Sequence, residues 1–259
     1  MFGKFFVTDE VRRDSVEFTY NSYNRLIDLL RKNGYEVASY DNFMSKDRCV
    51  ILRHDIDNSL SKAIKIAEIE RNREVTSTYF LMITNEFYNV FSLNGSEQVE
   101  KIQDLGHEVG LHFDEYRYPS IVGNPDAIID KIIEDAELLS HITGKSVTKV
   151  SMHRPSKKII ESNLQVPNMV NTYSTLFFSE FKYLSDSRRH WREPVESIIR
   201  YRQAKRLQIL IHPFWYEEIE TNIEDTLETF VNSANSERYE ALNDNFTDLS
   251  EALPKYKVK

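Results

Sequence analysis

At 259 residues, 41% of them hydrophobic, the chain is long enough to bury a substantial core, and single α/β barrels commonly reach this size. A formal charge of −8 argues against nucleic acid as a partner, because phosphate binding draws its affinity from clustered Lys and Arg. The seven glycines and seven prolines are scattered and mark no linker. One domain over 1–259 is therefore expected, with a helical extension over 1–45, a barrel over 46–216 and a helical segment over 217–259.

Met1 to Glu10 lacks an apolar signal core and turns acidic at once, and no later stretch reaches the roughly 18 uncharged apolar residues of a membrane span. These features predict a cytoplasmic protein without a transmembrane segment. Tyr20 to Lys32 sets Tyr23, Leu26, Ile27 and Leu30 on one helical face, and Asn33-Gly34 ends it. Cys49 is the single cysteine, which excludes an intramolecular disulfide and a cysteine zinc cage; it leads into Val50-Ile51-Leu52 and reads as a buried, inert thiol.

Val50 to His54 predicts a strand, Ser59 to Asn72 a helix, Val75 to Met82 a second strand, and Glu97 to Leu105 a helix closed by Gly106. A strand at Glu108 to His112, a helix at Asp126 to Ile142 stopped by Gly144, and a strand at Val147 to Met152 follow. Two more strands are expected at Phe181 to Leu184 and Leu207 to Ile211, and one or two helices beyond Glu217. Strands alternating with helices imply right-handed crossovers and a parallel sheet, closed or nearly closed as a barrel.

Polar residues concentrate where the apolar runs end: Arg53-His54-Asp55-Ile56-Asp57, His112-Phe113-Asp114, His153-Arg154-Pro155, Ser185-Asp186-Ser187 with Trp191 beyond, and His212-Pro213. In a parallel barrel these strand ends share one rim, so carboxylates and imidazoles meet there. His54, His112, His153 and His212, four of the seven histidines, take part in this pattern. Such donors suit a borderline ion such as Zn²⁺ with three protein ligands and an open position, the chemistry of amide hydrolysis.

Over positions 50–216 the five segments resemble the motifs of the polysaccharide deacetylase (NodB-homology, carbohydrate esterase) superfamily, in its His-Asp-x-Asp branch. The resemblance implies a distorted (β/α)7-type barrel and a metal-dependent hydrolase that removes an N-acyl, most simply acetyl, group from a sugar of a surface polysaccharide such as O-antigen. It implies Asp55 as catalytic base and Asp57 as metal ligand, with the reverse assignment open, and His112 as a second ligand. The family's next histidine is replaced by Tyr116, so the third ligand is expected to be His153 or Asp114. Arg154 is expected to orient the catalytic aspartate, Asp186 to fix that arginine, and His212 to act as general acid, while His107 is read as structural. Tyr116, Trp191 and Trp215 are candidates for stacking on the sugar, with Tyr118 and Phe214 nearby; ordinary packing explains aromatic residues equally well. Without a signal segment, a nucleotide- or lipid-linked precursor is the expected substrate. Two other readings compete: a catalytically inactive sugar-binding protein, motivated by Tyr116, and a His-Asp phosphohydrolase, which His54-Asp55 suggests but whose helical histidines are absent.

Overall fold

The computed structural model describes residues 16–258. The first part of the expected N-terminal extension, residues 1–15, lies outside them. Helix α1 (Tyr20–Lys32) begins at a capping box between Thr19 and Ser22, buries the face made by Tyr23, Leu26, Ile27 and Leu30, and gives way at Gly34, whose φ of 76° suits glycine.

Eight strands follow: β1 (Glu36–Ala38), β2 (Cys49–Ile56), β3 (Thr78–Leu81), β4 (Glu108–Phe113), β5 (Lys149–Met152), β6 (Val170–Asn171), β7 (Lys182–Ser185) and β8 (Arg206–Ile211). Between them run α2 (Leu60–Asn72), α3 (Leu93–Asp104), α4 (Pro125–Thr143), α5 (Lys157–Glu161), α6 (Thr175–Ser179) and α7 (Val195–Arg200). Every ladder is parallel, so each strand must return by a crossover, and the order is β6-β5-β4-β3-β2-β8-β7. β1 and β3 share one edge of β2, β1 pairing with Cys49 to Ile51 and β3 with Arg53 to Ile56.

The sheet curls as a half-barrel of the distorted (β/α)7 kind, and no ladder among the described residues joins β6 to β7. Of the closed or nearly closed barrel that alternation suggested, the nearly closed form is found, open at one seam among the described residues. β1 and β6 went unpredicted because strands of three and two residues carry no readable period. Helix α3 starts four residues before its expected position, where Ser92 caps the Gly95 amide.

Strand alternation gives the sheet two faces. Val50, Leu52, Ile56, Leu111, Val150, Ile209 and Ile211 face outward into the main core with the helices. The concave side begins with an aromatic plug of Tyr40, Phe43, Phe80, Phe177 and Phe181 around Cys49 and Ile51. A Cβ at Gly110 would stand 2.5 Å from the Phe80 ring, so glycine is what lets that ring cross the concave face. Cys49 is free and fully buried.

One expectation fails on this geometry. His54 alternates with Asp55, points to the helix side, and is wholly buried rather than placed at the rim. There its Nε2 donates to Glu70 Oε1 at 2.9 Å, and Glu70 also accepts from Tyr23 Oη (2.5 Å), Ser77 Oγ (2.5 Å) and Tyr79 Oη (2.7 Å). His107 lies on the same network, bonded to Ala67 O at 3.0 Å and beside Ser77. Burial pushes the Glu70 carboxyl up, but the attraction of His54 and His107 and these hydrogen bonds outweigh it and hold it down at about 2.

A second compact unit runs from Glu217 to the C-terminus, with α8 (Ile223–Asn243) and α9 (Leu249–Ala252) and a bond from Tyr239 Oη to Leu253 O at 3.1 Å. No helix among the described residues is long and apolar enough to cross a membrane. Removing the Glu70 carboxylate strands several buried donors, so Glu70→Ala should cost about 3–5 kcal/mol in urea unfolding. Because its folded pKa is depressed from 4.5 to about 2, its contribution is present above pH 4.5 and fades as pH falls through about 2. The mutant's stability curve should therefore converge on the wild type's in acid.

Candidate metal centre and active site

Above the aromatic plug the concave face turns polar in layers. Arg53, on β2, is completely buried; its Nε and Nη2 donate to the two oxygens of Asp55 at 3.2 and 2.7 Å, Nη2 also to Ser151 Oγ at 2.6 Å, and Nη1 to Thr172 Oγ1 at 2.8 Å. Ser151 in turn donates to Asp55 and receives His112 Nδ1–H at 3.1 Å. Its hydroxyl thus accepts twice and gives once, a fully used inventory. Burial pushes the Asp55 carboxyl up, and Arg53 and His112 more than reverse this, leaving it below its ordinary value.

Asp57 follows one alternation later, at the mouth. Its Oδ1 lies 3.1 Å from His112 Nε2 and 3.3 Å from His153 Nδ1, and those two nitrogens are 3.1 Å apart. Three donors bound tetrahedrally to zinc at about 2.0–2.2 Å would be separated by about 3.3–3.6 Å, so the triangle is near the required size. Asp57 Oδ1 is buried with no well-aligned hydrogen bond, the state of an oxygen that awaits a cation. With Nδ1–H of His112 committed to Ser151, its Nε2 lone pair is left for an ion. The residues present therefore fit a divalent metal held by Asp57, His112 and His153. Burial pushes the Asp57 carboxyl up, and the two imidazoles pull it far below its usual range.

Opposite, His212 leaves β8 and is anchored by Asp186, which is fully buried and accepts from His212 N (3.0 Å) and Nδ1 (2.6 Å). Its other nitrogen, Nε2, lies 3.8 Å from Asp57 Oδ2. Burial disfavours the imidazolium, but the bond and charge of Asp186 prevail and push His212 up to about 9.

Asp55, Asp57, His112, His153, His212 and Trp215 line one pocket of about 330 Å³. Several expected placements differ. Arg154 does not touch Asp55: it lies at the exposed rim, bonds Asp114 Oδ2 at 2.5 Å, and stacks on the Tyr116 ring at 5.6 Å. The guanidinium on Asp55 belongs to Arg53, which shares its strand face. Asp186 fixes His212 rather than Arg154, because β7 and β8 are neighbours whereas β5 lies across the sheet. Asp114 is used by Arg154 and by the Tyr116 amide, which leaves the third corner to His153. Tyr116 is half-exposed outside the pocket lining, and Trp191 packs on the main core. Arg53 and Ser151 were missed, although their alternation with Asp55 and His153 could have found them; Tyr173 and Tyr183, which also line the pocket, carry no such signal.

Purified protein should carry near-stoichiometric divalent metal, which Asp57→Ala, His112→Ala and His153→Ala should each deplete in elemental analysis. Ser151→Ala should weaken the site by about 10–100-fold through the loosened His112 ring, and Asp114→Ala should leave occupancy close to wild type.

No protein-family model and no curated protein sequence matches the chain. Solved structures do. The catalytic domain of a peptidoglycan N-acetylglucosamine deacetylase from Eubacterium rectale aligns at 12% identity and a TM-score of 0.45, covering 74% of this chain and 86% of that one. A family 4 acetyl xylan esterase from Clostridium thermocellum, in complex with a cobalt ion, aligns at 12% identity and 0.41, covering 73% and 84%. A CE4 family pseudoenzyme from Bacillus anthracis aligns at 14% identity and 0.41, covering 74% and 62%. The five motif segments are what the chain has in common with the polysaccharide deacetylases in sequence.

Proposed function

We propose that the chain is a metal-dependent hydrolase that removes an N-acyl group, most simply acetyl, from a sugar. The observation that carries this reading is the meeting, in one pocket, of a three-donor metal triangle with an ionised carboxylate on one side and a cationic imidazole on the other. Asp57, His112 and His153 would hold the ion. When bound, a divalent ion such as Zn²⁺ polarises an acyl carbonyl and acidifies a water molecule.

The remaining roles belong to the chain's own groups. Asp55 is kept ionised and aimed by the fork of Arg53, so it accepts the proton that the attacking water gives up. His212 carries a proton on the strength of Asp186 and returns it from Nε2 to the departing amine, which would otherwise leave as an unstable anion. Opposite pKa displacements of the two groups suit one base and one acid at neutral pH. The reverse assignment, with Asp57 as base, has less support: Asp57 faces both ring nitrogens, while Asp55 is held by Arg53 and Ser151 with a lone pair to spare. That the sugar is the acylated partner rests on the likeness of the five motif segments to the polysaccharide deacetylases.

The inactive, sugar-binding reading was motivated by Tyr116 in place of a histidine; His153 in the third corner counts against it. The test is amine release from N-acetyl sugars by metal-loaded protein. Asp55→Asn and His212→Ala should each lower kcat by about 10²–10⁴-fold while retaining metal. Fully metallated wild type that releases no amine from any N-acyl sugar sinks the proposal.

A further inference from the structure

The chain is acidic overall, yet one wall of the pocket is cationic. Of the arginines at its mouth, Arg154 is neutralised by Asp114. Arg188 and Arg192, just beyond β7, are exposed and line the same pocket, and neither has an ion pair or hydrogen bond among the described residues. The carboxylates of the lining are already placed, Asp55 against Arg53 and Asp57 in the triangle with His112 and His153 that fits a metal. Two arginines therefore line the cavity with no carboxylate among the described residues to answer them.

The backbone reinforces the point. Arg188 (φ 58°, ψ 34°) and Arg189 (φ 56°) are consecutive left-handed residues, a conformation that favours glycine. A chain that holds arginine there accepts strain at the very turn that sets Arg188 on the pocket wall, and such strain collects at ligand sites. Arg189 takes no part in the pocket; it lies over the Phe18 ring.

We infer that Arg188 and Arg192 form an anion subsite, so that the substrate is an N-acylated sugar bearing an oxyanion, carboxylate or phosphate, close to the acyl group. The identity of the acylated sugar rests on the proposed function; the anion subsite rests on the arginines alone. A planar guanidinium fork matches either oxyanion with two parallel hydrogen bonds. Because the net charge of −8 repels anions at large, only a local cationic wall admits one to this mouth.

The full-length, metal-loaded chain is assayed with N-acetylglucosamine, N-acetylglucosaminuronic acid and N-acetylglucosamine 1-phosphate, by amine release and by calorimetric binding. Wild type should favour at least one acidic sugar over the neutral one by about tenfold or more in kcat/KM, and which acidic probe wins identifies carboxylate or phosphate. Arg188→Gly and Arg192→Ala should each collapse that preference by about tenfold, chiefly through KM, with Arg192→Lys retaining part of it. Since glycine suits the backbone at position 188, the loss should come with no fall in Tm. A wild type that does not distinguish acidic from neutral sugars, or a preference that survives both substitutions, overturns the subsite. If no sugar is deacylated, calorimetry separates the two claims: acidic sugars bound more tightly than neutral ones, and released by both substitutions, uphold the subsite while the hydrolase reading falls; equal binding overturns the subsite as well.

Discussion

The concave side of this sheet is organised by a buried guanidinium. Arg53 lies under the pocket floor with no access to water, and desolvating its charge is tolerable because each of its three nitrogens is directed at an acceptor: the two oxygens of Asp55, Ser151 on β5, and Thr172 just past β6. The Phe80 and Tyr173 rings cover its faces at 5.5 and 5.1 Å. These contacts reach from β2, in the interior of the sheet, to the β6 edge, where no backbone ladder among the described residues closes the barrel. The same pair aims the carboxylate proposed as base, so the demand that a buried charge be answered joins the stability of the curled sheet to the chemistry at its mouth.

β2 performs this work on both of its faces. Arg53 and Asp55 look into the concavity, while His54, one residue away, looks into the helix layer and joins Tyr23, Ser77, Tyr79 and His107 around Glu70. Two buried polar networks are thus set back to back across one strand. At the heart of each a buried carboxylate accepts from several donors, Glu70 from His54, Tyr23, Ser77 and Tyr79 and Asp55 from Arg53 and Ser151, which fixes the side chains around it.

Going up the concave face, the environment changes from apolar to buried polar to half-open. Cys49 and Ile51 sit in the aromatic plug, Arg53 and Asp55 are sealed, and Asp57, His153 and His212 are partly open to solvent. This gradient follows from a strand whose alternate residues change character every two positions, and it places ionised groups where a substrate can enter while keeping their partners dry. Arg188 and Arg192 extend it by one step, to cations at the rim that pair with no carboxylate among the described residues.

Much of this was legible in the amino-acid order. Short stretches rich in apolar residues, helix caps and glycine stops marked β2, β3, β4, β5, β7, β8 and helices α1 to α4, because those signals are local and periodic. The crowding of Asp and His after the strands marked the mouth, and the motif resemblance suggested Asp57 and His112 as metal ligands with His153 or Asp114 as the third. What the sequence could not express was partnership. Whether Arg53 or Arg154 holds Asp55, whether Asp186 serves an arginine or His212, and whether Asp114 or His153 takes the third corner depend on which strands become neighbours and on which face a side chain emerges. Those choices belong to the β7–β8 and β4–β5 ladders and to the open seam beside β6. Residue types and local periods are written in the order of the chain; contacts between segments on different strands exist only once the sheet has brought them together.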